Sequence, residues 1–103
     1  MNVFLHKNVD RLVASLEKPT RSKWIHLLVL LEKYGSSLGM PHLRPISRDL
    51  SELRVRGNQE LRAFVHFKGE QISILHAFIK KTQKIPQREI KIAQNRLVQL
   101  TNV

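Results

Sequence analysis

The sequence predicts an α+β domain: a small antiparallel or mixed sheet of about four strands, with two helices ahead of most of it and one after it. Three observations carry that expectation. Apolar residues recur at helical spacing from Val9 to Tyr34, the period switches to two between Leu53 and Phe67, and helical spacing returns after Pro86. A chain of 103 residues has room for one modest core, so residues 1–103 are expected to be a single domain.

Taken in order, Val3, Phe4 and Leu5 read as a short first strand. Asn8 is placed to cap a helix in which Val9, Leu12, Val13 and Leu16 form a one-sided stripe. Pro19 ends that helix or separates it from the next, for which Thr20 or Ser22 is the expected cap. The second helix carries Trp24, Leu27, Leu28, Leu31 and Tyr34 on one side, and Gly35 stands where a left-handed residue would stop it. Because Ile25, Val29 and Leu30 are apolar too, this helix is expected to pack on more than one side: the sheet, and the first helix or a partner. Residues 36–45, with Gly39, Pro41 and Pro45, read as a loop. Leu53 to Arg56 alternate apolar and basic, Gly57-Asn58-Gln59 turns the chain, and Leu61, Ala63, Val65 and Phe67 alternate in turn with Arg62, Phe64, His66 and Lys68. This predicts a hairpin with one face in the core and the other wet and positive. After the turn at Lys68-Gly69-Glu70, residues 72–79 are almost continuously apolar, as in a central strand. Pro86 opens a last helix with Ile90, Ala93, Leu97 and Leu100 on one face.

Composition narrows the partners. Eighteen Lys and Arg against eight Asp and Glu give a formal charge of +10, which favours a polyanion, nucleic acid first. There is no cysteine, so disulfide and thiolate chemistry are excluded. No apolar run with a small-residue cleavage site opens the chain, and the apolar block at residues 27–31 is far short of the roughly 20 residues that span a bilayer. A cytoplasmic protein without a membrane partner is expected.

The candidate chemistry follows from the strand alternation. If Leu53, Val55, Leu61 and Ala63 face the core, then Arg54, Arg56, Arg62, His66 and Lys68 project from the opposite face. The next strand contains His76 and ends in Lys80-Lys81, with Lys84 just beyond. Neighbouring strands would gather these cations in a strip suited to a sugar-phosphate backbone, since guanidinium binds phosphate bidentately and lysine supplies compact charge. A merely solvated strand face is the competing reading. RNA carries its own 2′-hydroxyl nucleophile, so cleavage needs proton transfer and charge stabilisation rather than a protein nucleophile. The histidines His6, His26, His42, His66 and His76 are dispersed without metal-ligand spacing, so no metal or other cofactor is expected. Neither a Gly-rich phosphate loop nor a nucleophile elbow is present.

The string Leu75-His76-Ala77-Phe78-Ile79-Lys80-Lys81-Thr82-Gln83-Lys84-Ile85-Pro86, with Glu89-Ile90 and Ala93 after it, is preceded by Leu38-Gly39-Met40-Pro41, Glu52-Leu53-Arg54 and Leu61-Arg62. Together these resemble the phage-derived HigB-like branch of the RelE/ParE superfamily, over most of the chain. The resemblance implies a RelE-like fold and a type II toxin: an endoribonuclease that cuts mRNA on the ribosome and inhibits translation. It also implies a helix-turn-helix, HigA-like antitoxin, joined with the toxin in a heterotetramer. Carried over by position, Arg62 and Lys81 are phosphate and transition-state ligands, both expected to be exposed, and Arg54 orients the backbone. Lys80 or Lys84 exchanges the proton. The strand-face argument adds Arg56, His66, Lys68, His76 and Lys84 as the residues expected to bind RNA. The antitoxin is expected across the basic strip or along the second helix. Ser51 stands where the branch has tryptophan, Ile85 where it has threonine, and no tyrosine follows Lys81, which leaves base stacking to Phe78 or His76. The alternative within the same superfamily is a non-catalytic protein, a ParE-like gyrase poison or an antitoxin- or RNA-binding remnant. The cluster Arg54, Arg62, Lys80 and Lys81 argues for the nuclease.

Overall fold

The structure is a computed structural model and describes residues 2–101. Strand β1 (Asn2–Leu5) leads into helices α1 (Lys7–Ala14) and α2 (Lys18–Tyr34) and one 3-10 turn (Gly35–Leu38). Strands β2 (Leu43–Pro45), β3 (Ser51–Val55), β4 (Leu61–Lys68) and β5 (Gln71–Ile79) follow, and helix α3 (Gln87–Thr101) ends the fold. The sheet runs β1-β5-β4-β3-β2, with β1 parallel to β5 and every other pair antiparallel. The α+β class is as expected, with five strands in a mixed sheet. The additional strand, β2, lies inside the segment read as a loop. Three residues are too short to show a period, and Leu43 is buried only because β3 pairs beside it.

The helix boundaries differ at their starts. His6, not Asn8, caps α1: its Nδ1 accepts the Asn8 backbone N–H at 3.2 Å. Helix α2 begins at Lys18 with Glu17 as its cap, so Pro19 falls inside the first turn rather than at a break. Proline is tolerated there because its missing N–H has no intrahelical acceptor. Thr20 is buried within the helix instead of capping it. At the other end Gly35 has φ +56° and donates its N–H to Leu31 O, as expected of a terminator.

Two cores sandwich the sheet. Val9, Leu16, Trp24, Leu27 and Leu31 from α1, α2 and their junction pack on Leu53, Val55, Leu61, Ala63, Val65, Ile72 and Ile74. On the opposite face, Ala93 of α3, with partly buried Ile90 and Leu97, packs on Leu50, Phe64, Leu75 and Phe78. The hairpin face expected to be wet is therefore covered over much of its area, because the apolar stripe of α3 needs a surface and Phe64 provides it. Helix α2, in turn, packs on one side only: Ile25 and Val29 are each 59% exposed.

One irregularity sets the phase of β5. Phe64 pairs with His76 and Val65 with Ile74, so Leu75 is an extra residue in the ladder. Ile72, Ile74 and Ala77 consequently face α1 and α2, while Leu75 and Phe78 face α3. Arg96 of α3 donates to the Leu75 carbonyl at 2.9 Å, which satisfies the bulge from outside the sheet.

Candidate functional site

The centre of charge in the fold is Glu52, a carboxylate with no exposed surface. Register explains its company. Arg44 of β2 and Phe64 of β4 flank Glu52 in one cross-strand row, and Arg54 stands directly opposite Arg62 in the next row. All four charged groups are on the face that α3 partly covers, since Leu43, Leu53, Val55, Leu61 and Ala63 occupy the other. Arg44 Nη2 lies 3.1 Å from Glu52 Oε1, Arg54 Nε 3.8 Å from the same oxygen, and Arg62 Nε 3.6 Å from Oε2. Two arginines directly opposed across strands repel, and the buried carboxylate between them offsets that repulsion.

A second carboxylate extends the network toward the hairpin turn. Glu60 Oε2 is 3.4 Å from Arg62 Nη1, and Glu60 Oε1 is 3.8 Å from Arg56 Nε. Arg62 Nη1 also donates to Leu61 O at 3.1 Å. Four guanidiniums thus share two carboxylates, leaving the cluster net positive. It is also under-bonded: Nε of Arg44, Arg54 and Arg62 and Oε2 of Glu52 are buried without a hydrogen-bond partner among the described residues. Buried polar groups left in this way cost about 1–3 kcal/mol each, so their concentration in one place detracts from stability and singles the cluster out as the candidate site.

A family profile described as "Phage derived protein Gp49-like (DUF891)" matches residues 11–98. The chain belongs to the Gp49-like family. No curated protein matches it. The matched span contains β2 to β5 and so every member of the arginine–glutamate cluster in this Gp49-like domain. Membership is compatible with a toxin of a toxin–antitoxin pair, with an antitoxin as partner.

The nine residues singled out from the sequence separate into groups. Arg54 and Arg62 do share a face and an anion, as strand alternation requires. Arg62, however, is not exposed: only 3% of its surface is open, and Glu52, Glu60 and Leu61 hold it. Lys80 continues the ladder, its N–H donating to Glu60 O at 2.8 Å. Lys80 and the exposed Lys81 line a depression of about 400 Å³ with His76, Thr82, Pro86 and Glu89. A different groove, about 480 Å³, lies between α2 and β3, with the consecutive residues Arg54, Val55 and Arg56 in its wall. The expected strip is therefore interrupted: Lys80 and Lys81 border one hollow and Arg56 the other, while the Arg54 guanidinium points to Glu52 on the α3 face. Lys84 is exposed on the loop after β5, where its carbonyl accepts from Thr82 Oγ1.

His66 and Lys68 fall outside this region. They pair with Ser73 and Gln71 at the far end of β4, about 13 Å and about 20 Å from Arg62 at about 3.3 Å per residue. The Nδ1 of His66 contacts Asp49 O at 2.8 Å. His76 is near the Lys80 depression but engaged on every side. Its Nε2 is 2.9 Å from Glu89 Oε2, Arg96 Nη1 is 3.2 Å from its Nδ1, and its ring clusters with those of Phe64 and Phe78, at 6.5 and 5.9 Å between centroids. A guanidinium can only donate, so the Nδ1 contact assigns the ring proton to Nε2 and fits the neutral ring. Burial lowers the pKa of Arg96, against the pull of Glu89. Burial, helped by Arg96, Lys7, His76 and Arg11, also lowers that of His6.

Sequence reasoning passed over Arg44, Glu60 and the His76–Glu89–Arg96 group. For Arg44 the only signal was its place between Leu43 and Pro45, and its meaning depends on a strand too short to read. Among the described residues, no three His, Cys, Asp or Glu side chains gather as metal ligands, and no helix is long and apolar enough to cross a membrane.

Proposed function

We propose that this Gp49-like protein is the toxin of a type II pair, a HigB-like endoribonuclease that cuts mRNA on the ribosome. The observation that carries the reading is the surplus of guanidinium over carboxylate around Glu52, with Lys80 and Lys81 beyond Glu60. A phosphodiester near Arg54 brings its own nucleophile. The protein then needs only to neutralise charge developing on the phosphorane and to exchange protons. Arg54 binds the scissile phosphate, Arg62 holds the carboxylates that aim it, and Lys80 and Lys81 supply charge and the proton for the leaving oxygen. Arg56 and Lys84 track the flanking backbone. A helix-turn-helix antitoxin of the HigA kind neutralises the toxin in a cytoplasmic complex.

One observation favours a second reading, a non-catalytic binding protein such as a gyrase poison. His76 is saturated by Glu89 and Arg96, and Arg62 is buried, so neither is free for chemistry. Inducing the gene in a bacterium and mapping RNA ends separates the two. The nuclease reading expects cuts in frame with codons, whereas DNA breaks with an intact transcriptome would overturn it.

A further inference from the structure

We propose that Arg44 and Arg54 form a phosphate clamp aligned by Glu52, with Arg62 as its buried strut. The proposal deepens the nuclease reading, on which it rests for the identity of the phosphate as an RNA phosphodiester. The three arginines are graded by access. Side-chain exposure falls from 42% at Arg44 to 15% at Arg54 and 3% at Arg62, so the cluster has an open end and a closed end. Arg62 occupies the closed end, with Glu52 on one side and Glu60 and Leu61 O on the other. It cannot reach a ligand without releasing all three.

The open end is built differently. Arg44 spends one nitrogen on Glu52 Oε1 at 3.1 Å. Arg54 approaches the same oxygen only at 3.8 Å, and its guanidinium makes no hydrogen bond among the described residues. A mostly buried guanidinium without a hydrogen bond is a donor set in want of an anion. Because both side chains reach one oxygen, they stand side by side on two adjacent strands, on the part of the face next to the edge of the sheet. A tetrahedral phosphate presents enough oxygens to be held by two such forks at once. Glu52 is a positioning residue in this arrangement. Fully buried and fixed on β3, one strand in from the edge, it sets where both forks point and does not itself meet the ligand.

The test uses the whole protein, an RNA carrying 2′-O-methyl groups that block cleavage, and inorganic phosphate. Arg44→Ala should weaken binding of the blocked RNA about tenfold, as expected for loss of one charge-assisted contact. Arg44→Lys, which keeps the charge and loses the fork, should recover only part of it. In nitrogen-15 spectra the Nε–H signals of Arg44 and Arg54 should move saturably on titration while that of Arg62 holds still. Movement with phosphate alone at low concentration assigns the clamp to a free phosphate group, and movement with RNA only assigns it to the backbone. Glu52→Gln gives a sign test. Charge alone predicts tighter binding once the carboxylate is gone, whereas lost positioning predicts weaker binding; a melting curve shows that the variant is folded. Unchanged affinity in Arg44→Ala, or a still Arg44 signal, overturns the clamp. If the wild type cuts RNA and Arg44→Ala cuts it with the same KM, the clamp falls and the nuclease stands. If phosphate moves both signals but no RNA is ever cut, the clamp stands and the nuclease falls.

Discussion

The two faces of the sheet are built on opposite terms. Toward α1 and α2 every strand contributes apolar side chains, and the layer is continuous from Leu43 to Ile74. Toward α3 the face is divided: Phe64, Leu75 and Phe78 pack beneath Ala93, while Arg44, Glu52, Arg54 and Arg62 occupy the β2–β3 side. The first face is a stabilising surface. The second spends part of its burial on charge that hydrophobic side chains of equal volume would replace without loss, and often with gain, in stability. The candidate site lies on the divided face, on the part of the sheet that α3 leaves partly uncovered.

Unfolding and growth measurements test this contrast. The largest effect is expected from Phe64→Ala, which removes the apolar centre of the divided face and should cost about 3–5 kcal/mol in urea or thermal unfolding. A loss below 1 kcal/mol would mean that α3 covers nothing of consequence. Arg62→Ala should come next, at about 2–3 kcal/mol, because Glu52 keeps Arg44 and Arg54 while losing its buried strut. This variant therefore confounds toxicity with folding, and equal stability to wild type would refute the strut. Lys81→Ala, on an exposed residue, should change stability by less than about 0.5 kcal/mol yet relieve growth arrest at equal expression. Full toxicity would remove Lys81 from the site.

The smallest effect concerns pH. The folded state lowers the His6 pKa below 6.5, so between the folded and unfolded values the unfolded chain binds more protons. Stability from this group is present above pH 6.5 and is lost as the pH falls through and below it. Replacing His6 with asparagine, which caps α1 without titrating, should flatten that part of the stability–pH curve. An unchanged slope would show that His6 contributes nothing to it.

The residues themselves explain what could be read early. The helical stripe of Val9, Leu12 and Val13, the stop at Gly35 and the alternation through residues 53–55 and 61–67 are local patterns, and each is in the element it announced, with Leu16 and Arg56 just past the ends of α1 and β3. Arg54 and Arg62 were legible as same-face neighbours because a hairpin turn and a period of two suffice to place them. The burial of Arg62 was not legible, because alternation says which side a residue takes and nothing about what covers that side. Leu75 illustrates the same limit: an uninterrupted apolar run hides a bulge that shifts the phase of His76 and Phe78.

Residue spacing and composition were enough for the three helices and four of the five strands, for the excess of positive charge and for the shared face of Arg54 and Arg62. These follow from spacing along the chain, a property each segment carries alone. Tertiary structure alone decided that Arg44 joins them, that Glu52 is their buried counter-ion, that His66 and Lys68 are at the far end of the sheet and that His76 is tied to α3. Those outcomes depend on which strands become neighbours and which surface a helix covers, and the free energy that selects them comes from burial between segments distant in the chain.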